Sequence, residues 1–204
     1  RFISCTFALA VELLSDQDLQ SGSILMDLGF EKTSLGIFRN MALVNSTTLP
    51  IGVNHITKDI SKVCSLSLEE SENIRNKFDF SFQRNNFFFD KESYLKEIYF
   101  NDSTFRKISK ALILNVVKAR INEIFEMIKK QISLTGFNST RGIKFFIVGG
   151  GSNLINITLH CSNFFGLNIK KYCQQLCFLN EMGRLPSDVD EILCRNACAS
   201  SSKI

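Results

Sequence analysis

The order of apolar and polar positions divides the chain into short strands, amphipathic helices and glycine turns. From residue 23 to about residue 53, three apolar runs (SILMDLG, TSLGIF and LVNSTTLPIG) are separated by Phe30-Glu31-Lys32 and by Asn40-Met41. Runs of this length between turn residues predict a hairpin followed by a third strand. Upstream, Ser15-Asp16-Gln17-Asp18 interrupts the first apolar segment, and Ser21-Gly22 marks the next turn. Downstream, Ile56, Ile60 and Val63 recur at helical spacing, so residues 54–63 read as a helix with one buried face. Ser67 stands three residues before Glu70, the pattern of a capping box opening a second helix.

Phe78, Phe80 and Phe82 alternate with polar residues, as a half-buried strand requires, until Asn85-Asn86 breaks the pattern. The aromatic-dense NNFFFDKESYLKEIYFND that follows reads as strand core in preference to a partner surface. The longest periodic segment covers residues 106–133. Leu114, Val117, Ile121, Ile124, Phe125, Ile128 and Ile132 form one apolar stripe, while Lys118, Arg120, Glu123, Lys129 and Lys130 fall on other faces. Gly136 supplies the stop, with Asn138 beyond it. IKFFIV then forms a fully apolar strand that feeds GGGSNL and a helix through NITLHCSNFFG. A strand of that kind belongs in an α/β sheet covered on both faces.

Composition adds bounds to this picture. At 204 residues, 45% hydrophobic and 22% charged, the chain is of globular type and long enough to bury a sizeable core. The net charge of +4 is scattered along the sequence, and no basic stripe with interleaved aromatics points to nucleic acid. An acidic protein partner would exploit the same excess. The chain begins at Arg1 without a signal-peptide pattern, and no apolar run has transmembrane length, so an internal part of a longer protein is expected. The seven cysteines include Cys173/Cys177 and Cys194/Cys198, each pair spaced four apart and unlike the tighter pairs of zinc sites. No metal site is expected from them, and free thiols in a reducing compartment are the reading adopted. Sequons at Asn45, Asn101, Asn138 and Asn156 are of the number that so Asn-rich a chain produces by chance.

The strongest candidate for chemistry is FIVGGGSNLI. Gly149, Gly150 and Gly151 would let the backbone approach a ligand, and the following helix would direct free N–H groups at it. A tight turn without a ligand is the alternative. The run is neither a G-x-G-x-x-G fingerprint nor a Walker A loop. Asp27-Leu28-Gly29 ends a strand, where Asp27 could hold magnesium through water and Thr33 could meet phosphate oxygens, or where an aspartate simply favours the turn. His55 and His160 lack an acid or nucleophile partner in sequence and read as structural or exposed, and no serine-hydrolase elbow or paired carboxylates occur. Arg120 lies three residues before Glu123. It is either paired locally or, reinforced by Lys118, a guanidinium that captures a partner's carboxylate.

Taken in order, these segments resemble the bacterial cell-division protein FtsA, of the actin-like ATPase superfamily. GSILMDLGFEKTSLGIF resembles that family's second phosphate loop, roughly G-x-x-L-x-D-x-G-G-G-T-T-x-x-A-V-F. LPIGVNHITKDIS resembles its I-x-V-G-G-x-x-I-T-x-D-I-A stretch, and LSLEESENIRNKF its acidic helix with A-E-x-x-K. VVKARINEIFEMIKKQI resembles I-x-x-R-x-x-E-I, and GIKFFIVGGGSNL the adenosine motif G-x-V-L-T-G-G-G-S-x-L.

The resemblance implies an actin-like, ribonuclease H-like α/β fold. The chain would be its second lobe, a mixed sheet flanked by helices with an inserted α/β subdomain. Residues 1–62 would open subdomain IIA, 63–110 would form the IIB insertion, and 111–204 would hold the long helix and the rest of IIA. It further implies ATP with magnesium, held by Asp27, Gly29, Thr33, Gly52, Gly149, Gly150, Gly151 and Ser152. The implied partners are the acidic C-terminal tail of FtsZ, docking on IIB at Arg120 with Lys118, and further copies in a filament. The location would be the cytoplasmic face of the inner membrane, reached through a helix beyond Ile204.

The departures from the family pattern are specific. Phe30 and Glu31 replace glycines, Lys32 replaces a threonine, Val53 replaces the second glycine of V-G-G, and Lys118 replaces a glutamate. Bulk and negative charge at Phe30 and Glu31 would hinder phosphate, so weak or lost hydrolysis is expected. A working ATPase such as a chaperone or sugar-kinase relative, and a pilus-assembly scaffold of the same superfamily, are the alternatives.

Overall fold

The computed structural model describes residues 4–77, 79, 108–136 and 143–172. The strand expected through Phe78, Phe80 and Phe82, the aromatic stretch after it, Asn138 and the Cys173–Cys198 cysteines lie outside the described residues.

The three predicted N-terminal strands are present as β1 (Ser23–Leu28), β2 (Thr33–Arg39) and β3 (Ala42–Leu49). With β4 (Lys144–Val148) and β5 (Ile169–Lys171) they form a five-stranded sheet in the order β3-β2-β1-β4-β5. β1 pairs antiparallel with β2 and parallel with β4, so the sheet is mixed. Asn40 and Met41 both adopt positive φ in the two-residue β2–β3 connection, the backbone that a tight hairpin needs.

Strand alternation then decides which side chain meets which helix. On one face, Ile24, Met26, Leu28, Leu35, Ile37, Phe145 and Ile147 pack beneath α3 (Val53–Cys64), α5 (Lys110–Leu134) and α6 (Ile157–Phe165). On the other, Leu25, Phe38, Phe146 and Val148 meet α1 (Cys5–Leu13) and the approach to α2 (Asp16–Ser21). β1 and β4 are therefore apolar at successive positions because both of their faces are covered. Gly36 has no side chain because a Cβ there would collide with the Phe38 ring and Thr6 of α1.

Caps fix the helix starts. Ser15 and Asp18 form a capping box on α2, and Asp18 also takes Lys144, tying α2 to the start of β4. Ser67 and Glu70 exchange hydrogen bonds at the start of α4 (Leu68–Lys77), as the sequence predicts. The long helix begins later than its periodicity suggests. Ser109, not residue 106, caps it by accepting from the Ala111 N–H, and Thr135 and Gly136 close it. Its stripe is buried at Ile113, Leu114, Val117, Ile121, Ile124, Phe125 and Ile128.

His160 is structural. It hydrogen-bonds Asn122 at 2.8 Å and lies against Phe125, and burial, with Lys118 nearby, holds its pKa below the ordinary value. Burial likewise pushes the Cys161 thiol up to about 12, which leaves it unreactive. Phe125 sits at the centre of the α5–α6 packing, in ring contact with Phe164 and Phe165 and with no exposed surface. Phe125→Ala should cost about 3–5 kcal/mol in urea unfolding, whereas Leu112→Ala, on the exposed side of the same helix, should cost about 1 kcal/mol or less.

Candidate functional site

The C-terminal ends of β1 and β4 lie side by side, because Asp27 is in register with Val148. Three segments meet there: the β1–β2 turn, the turn into α3, and the glycine run after β4. Gly29 N–H donates to the Lys32 carbonyl, which closes the first turn. Gly29 and Phe30 in turn accept from the N–H groups of Val53 and Asn54 at 3.0 and 2.8 Å. A Cβ on Gly52 would strike the Gly29 and Phe30 carbonyls, so glycine at this position is set by contact between two turns of the chain itself.

The glycine run has a similar explanation. Gly149 has φ +87°, and a Cβ on it would meet the Asp27 carboxylate and the Leu28 backbone. A Cβ on Gly151 would meet the side chains of Leu28 and Val53. Gly150 alone faces open space. Two of the three glycines are thus required by packing inside the lobe. The run itself forms a short 3-10 turn (Gly150–Asn153), and the helix expected through NITLHCSNFFG is present as α6, starting at Ile157. The Ser152 hydroxyl donates back to the Gly149 carbonyl at 2.7 Å and is buried, so it braces the turn. Thr33 also differs from expectation. It is fully buried, and its hydroxyl donates to the Ile51 carbonyl at 2.7 Å, so it joins β2 to the α3 approach and presents nothing outward.

Asp27 is half-buried at the point where these turns converge. Burial pushes its carboxyl above the ordinary value of 3.8, and the charge of Lys32 partly offsets that. His55 accepts the Gly52 N–H at Nδ1 and so caps α3, which confirms a structural role for this histidine. Among the described residues, no three His, Cys, Asp or Glu side chains converge as a metal site.

Beside the glycine run is a cavity of about 250 Å³ lined by Val53, Arg75, Asn76, Gly150, Gly151, Asn153 and Leu154. Val53 and Leu154 give it apolar walls, the glycines give open backbone, and Asn76 and Asn153 give amide edges. Asn156 donates to Asp79 at 2.7 Å, and a β-bridge joins Asp79 to Ile155, tying the segment after α4 to the far side of the glycine run. Such a site suits a flat ring with polar edges.

Arg75 and Asn76 escaped the sequence reading, although one signal was present. Arg75 shares a helical stripe with buried Ser71 and Ile74, where a charge must be paired. It is 6% exposed and bonds the Val53 carbonyl, Thr57, Glu72 and Asn76 at 2.8–3.4 Å.

Arg120 and Lys118 lie apart from this cluster, on α5. Arg120 forms a bidentate pair with Asp59 of α3 at 2.6 and 3.0 Å and also bonds Glu123. The Asp59 hydrogen bonds, ahead of the other contacts, raise its pKa further. The local pairing with Glu123 was legible, but Asp59, 61 residues away, was not. Three N–H groups of the guanidinium are engaged and two remain for another acceptor.

The sheet order, the two adjacent loops and the helices on both faces define one lobe of an actin-like α/β protein. MreB5 of Spiroplasma citri bound to ADP shares this fold with a TM-score of 0.63 at 18% identity, over 98% of this chain and 61% of that one. The family profile of cell division protein FtsA matches residues 24–188, and the chain belongs to that family. Cell division protein FtsA of Agrobacterium fabrum is 23% identical over 169 residues, covering 82% of this chain and 38% of that protein. The FtsA of Neisseria meningitidis is 25% identical over 181 residues, covering 87% and 41%. The chain therefore spans well under half the length of these relatives.

Two expectations follow from the geometry. Gly150→Ala should leave thermal stability unchanged within about 0.5 kcal/mol, whereas Gly151→Ala should cost about 1–3 kcal/mol by overpacking against Leu28 and Val53. Asp27→Asn should raise the melting temperature near neutral pH. An acid whose folded pKa is raised favours the protonated fold, so the ionised carboxylate is a cost above that pKa and none below 3.8. The advantage of Asn should therefore shrink as pH falls, and an advantage that grew instead would contradict the assignment.

Proposed function

We propose that this chain is the second lobe of a cell-division adaptor that tethers FtsZ filaments to the inner membrane and assembles with copies of itself. The observation that supports this most is family membership over residues 24–188, continuous through both the nucleotide-type loops and the α5 face. On this reading the acidic FtsZ tail docks at Arg120 and Lys118. Arg120 is a quarter exposed, and after Asp59 and Glu123 two of its five N–H groups are left for a carboxylate. The proposed location is the cytoplasmic face of the inner membrane. Among the described residues no helix is long and apolar enough to cross a membrane.

The cavity beside Gly150 is proposed to receive the base and sugar of an adenine nucleotide, and its apolar walls and amide edges fit such a ring. The magnesium triphosphate of ATP fits less well. Asp27 is half-buried, Thr33 is turned inward, and Phe30 and Glu31 stand at the tip of the turn. Little or no hydrolysis is the consequence proposed, and the adaptor role does not require it.

Titration of the FtsZ C-terminal tail peptide tests the adaptor reading. Binding should weaken with added salt. Arg120→Ala and Lys118→Ala should each lower affinity about three- to tenfold. Arg120→Ala should also lose about 1 kcal/mol of stability through the Asp59 pair, whereas Lys118→Ala should not. Absence of binding to the folded wild-type protein would remove the FtsZ-tethering role.

A further inference from the structure

The hydrogen-bond inventory around the β1–β2 turn has a consequence for ligand choice. A helix start normally offers unpaired N–H groups that attract anions. At α3 these groups are already used. Gly52 N–H goes to His55 Nδ1, Val53 N–H to the Gly29 carbonyl, Asn54 N–H to the Phe30 carbonyl, and His55 N–H to the Gly52 carbonyl. The turn also places a carboxylate there. Glu31 accepts from the Asn54 side-chain amide and pairs with Lys58 at 3.8 Å. Among the described residues, Arg75 is the sole charged one lining the cavity, and it is equally committed. Its five N–H directions meet Val53, Thr57, Glu72 and Asn76, and Glu72 balances its charge. The Phe30 ring, half-exposed, lies 5.9 Å from the same guanidinium, so an aromatic face stands over the cation that lines the cavity.

We propose that this lobe has lost its preference for metal-bound polyphosphate and selects its ligand by the uncharged nucleoside part, with Glu31 as a built-in anion and Phe30 as a cap over Arg75. The inference rests on the adenine-nucleotide reading of the cavity and deepens it. It differs from a general loss of binding, because the cavity walls Val53, Gly151 and Leu154 are buried core residues, Val53 adding apolar bulk where the family pattern has glycine. Asp27 fits the same picture. Its carboxylate faces the charge of Lys32, a cation supplied by the turn itself.

Equilibrium dialysis of the purified protein against adenosine, Mg-ATP, and ATP with EDTA provides the test. Wild type should bind adenosine and Mg-ATP within about threefold of each other, and EDTA should change the ATP result little. Glu31→Gln keeps the turn's size and removes one repelling charge, so it should tighten Mg-ATP about threefold and leave adenosine unchanged. The double variant Phe30→Gly, Glu31→Gly should shift the ratio about tenfold or more toward Mg-ATP and restore sensitivity to EDTA. Should the double variant fail to fold, Glu31→Gln alone decides. A wild-type protein that prefers Mg-ATP tenfold over adenosine would overturn the inference and leave the nucleotide reading standing. So would variants that leave the ratio unchanged. Failure of every form to bind adenosine or ATP would overturn the nucleotide reading, and this inference with it.

Discussion

The parallel pairing of β1 with β4, in register from Ser23 opposite Lys144 to Asp27 opposite Val148, brings two loops to the same end of the sheet. Both strands are covered on both faces, so neither can slip by one residue without moving a row of core side chains to the wrong layer. Fixed strands fix the loops that leave them. Asp27, Leu28 and Gly149 then come so close that only glycine fits beside the carboxylate, and Gly151 must clear Leu28 and Val53. The site is in this sense a product of sheet register. Its backbone is set before any ligand contributes.

The α3 helix carries that constraint outward. Its first turn receives the carbonyls of Gly29 and Phe30, its middle receives Arg75 from α4 at Thr57, and its last turns hold Arg120 of α5 through Asp59. One helix therefore connects the β1–β2 turn, the cavity wall and the face proposed for a peptide partner. Arg75 and Arg120 do similar mechanical work with different exposure. Arg75 is buried and saturated, so it is a structural cation. Arg120 is a quarter exposed with donors to spare, so the same kind of guanidinium can hold an internal carboxylate and still meet another.

Much of the fold was legible because its signals are local. The continuous buried runs of β1 and β2, the apolar stripe of α5, the Ser67–Glu70 box and the Asn40-Met41 hairpin are all encoded within a few residues of one another. The candidate site was legible at Asp27 and the glycine run, but the reason for the glycines was not. Three glycines in a row look like open space for a ligand. Yet at Gly149 and Gly151 the space is filled by Asp27, Leu28 and Val53, all more than 90 positions away in the chain. The Asp59–Arg120 pair and the Arg75 network were hidden for the same reason, since long-range polar pairing leaves no periodic trace. Thr33 was misjudged because a hydroxyl after a turn looks the same in sequence whether it faces a ligand or, as here, the Ile51 carbonyl.

Among the departures from the family pattern, Val53 is buried, whereas Phe30 and Glu31 are exposed. Gly149, Gly151 and Ser152, which keep the pattern, sit where a change would disturb the core or a tight backbone contact. Phe30 and Glu31 sit at the exposed tip of the turn, and the carbonyls that α3 receives come from the backbone of Gly29 and Phe30, whatever side chain stands at position 30. The tip can therefore change its side-chain chemistry without altering the register of β1 and β2 or the capping of α3. The physics of the fold separates a cavity walled by core residues from a turn whose tip is free to alter. A cavity of this kind beside a charged, aromatic turn is the arrangement such a separation allows.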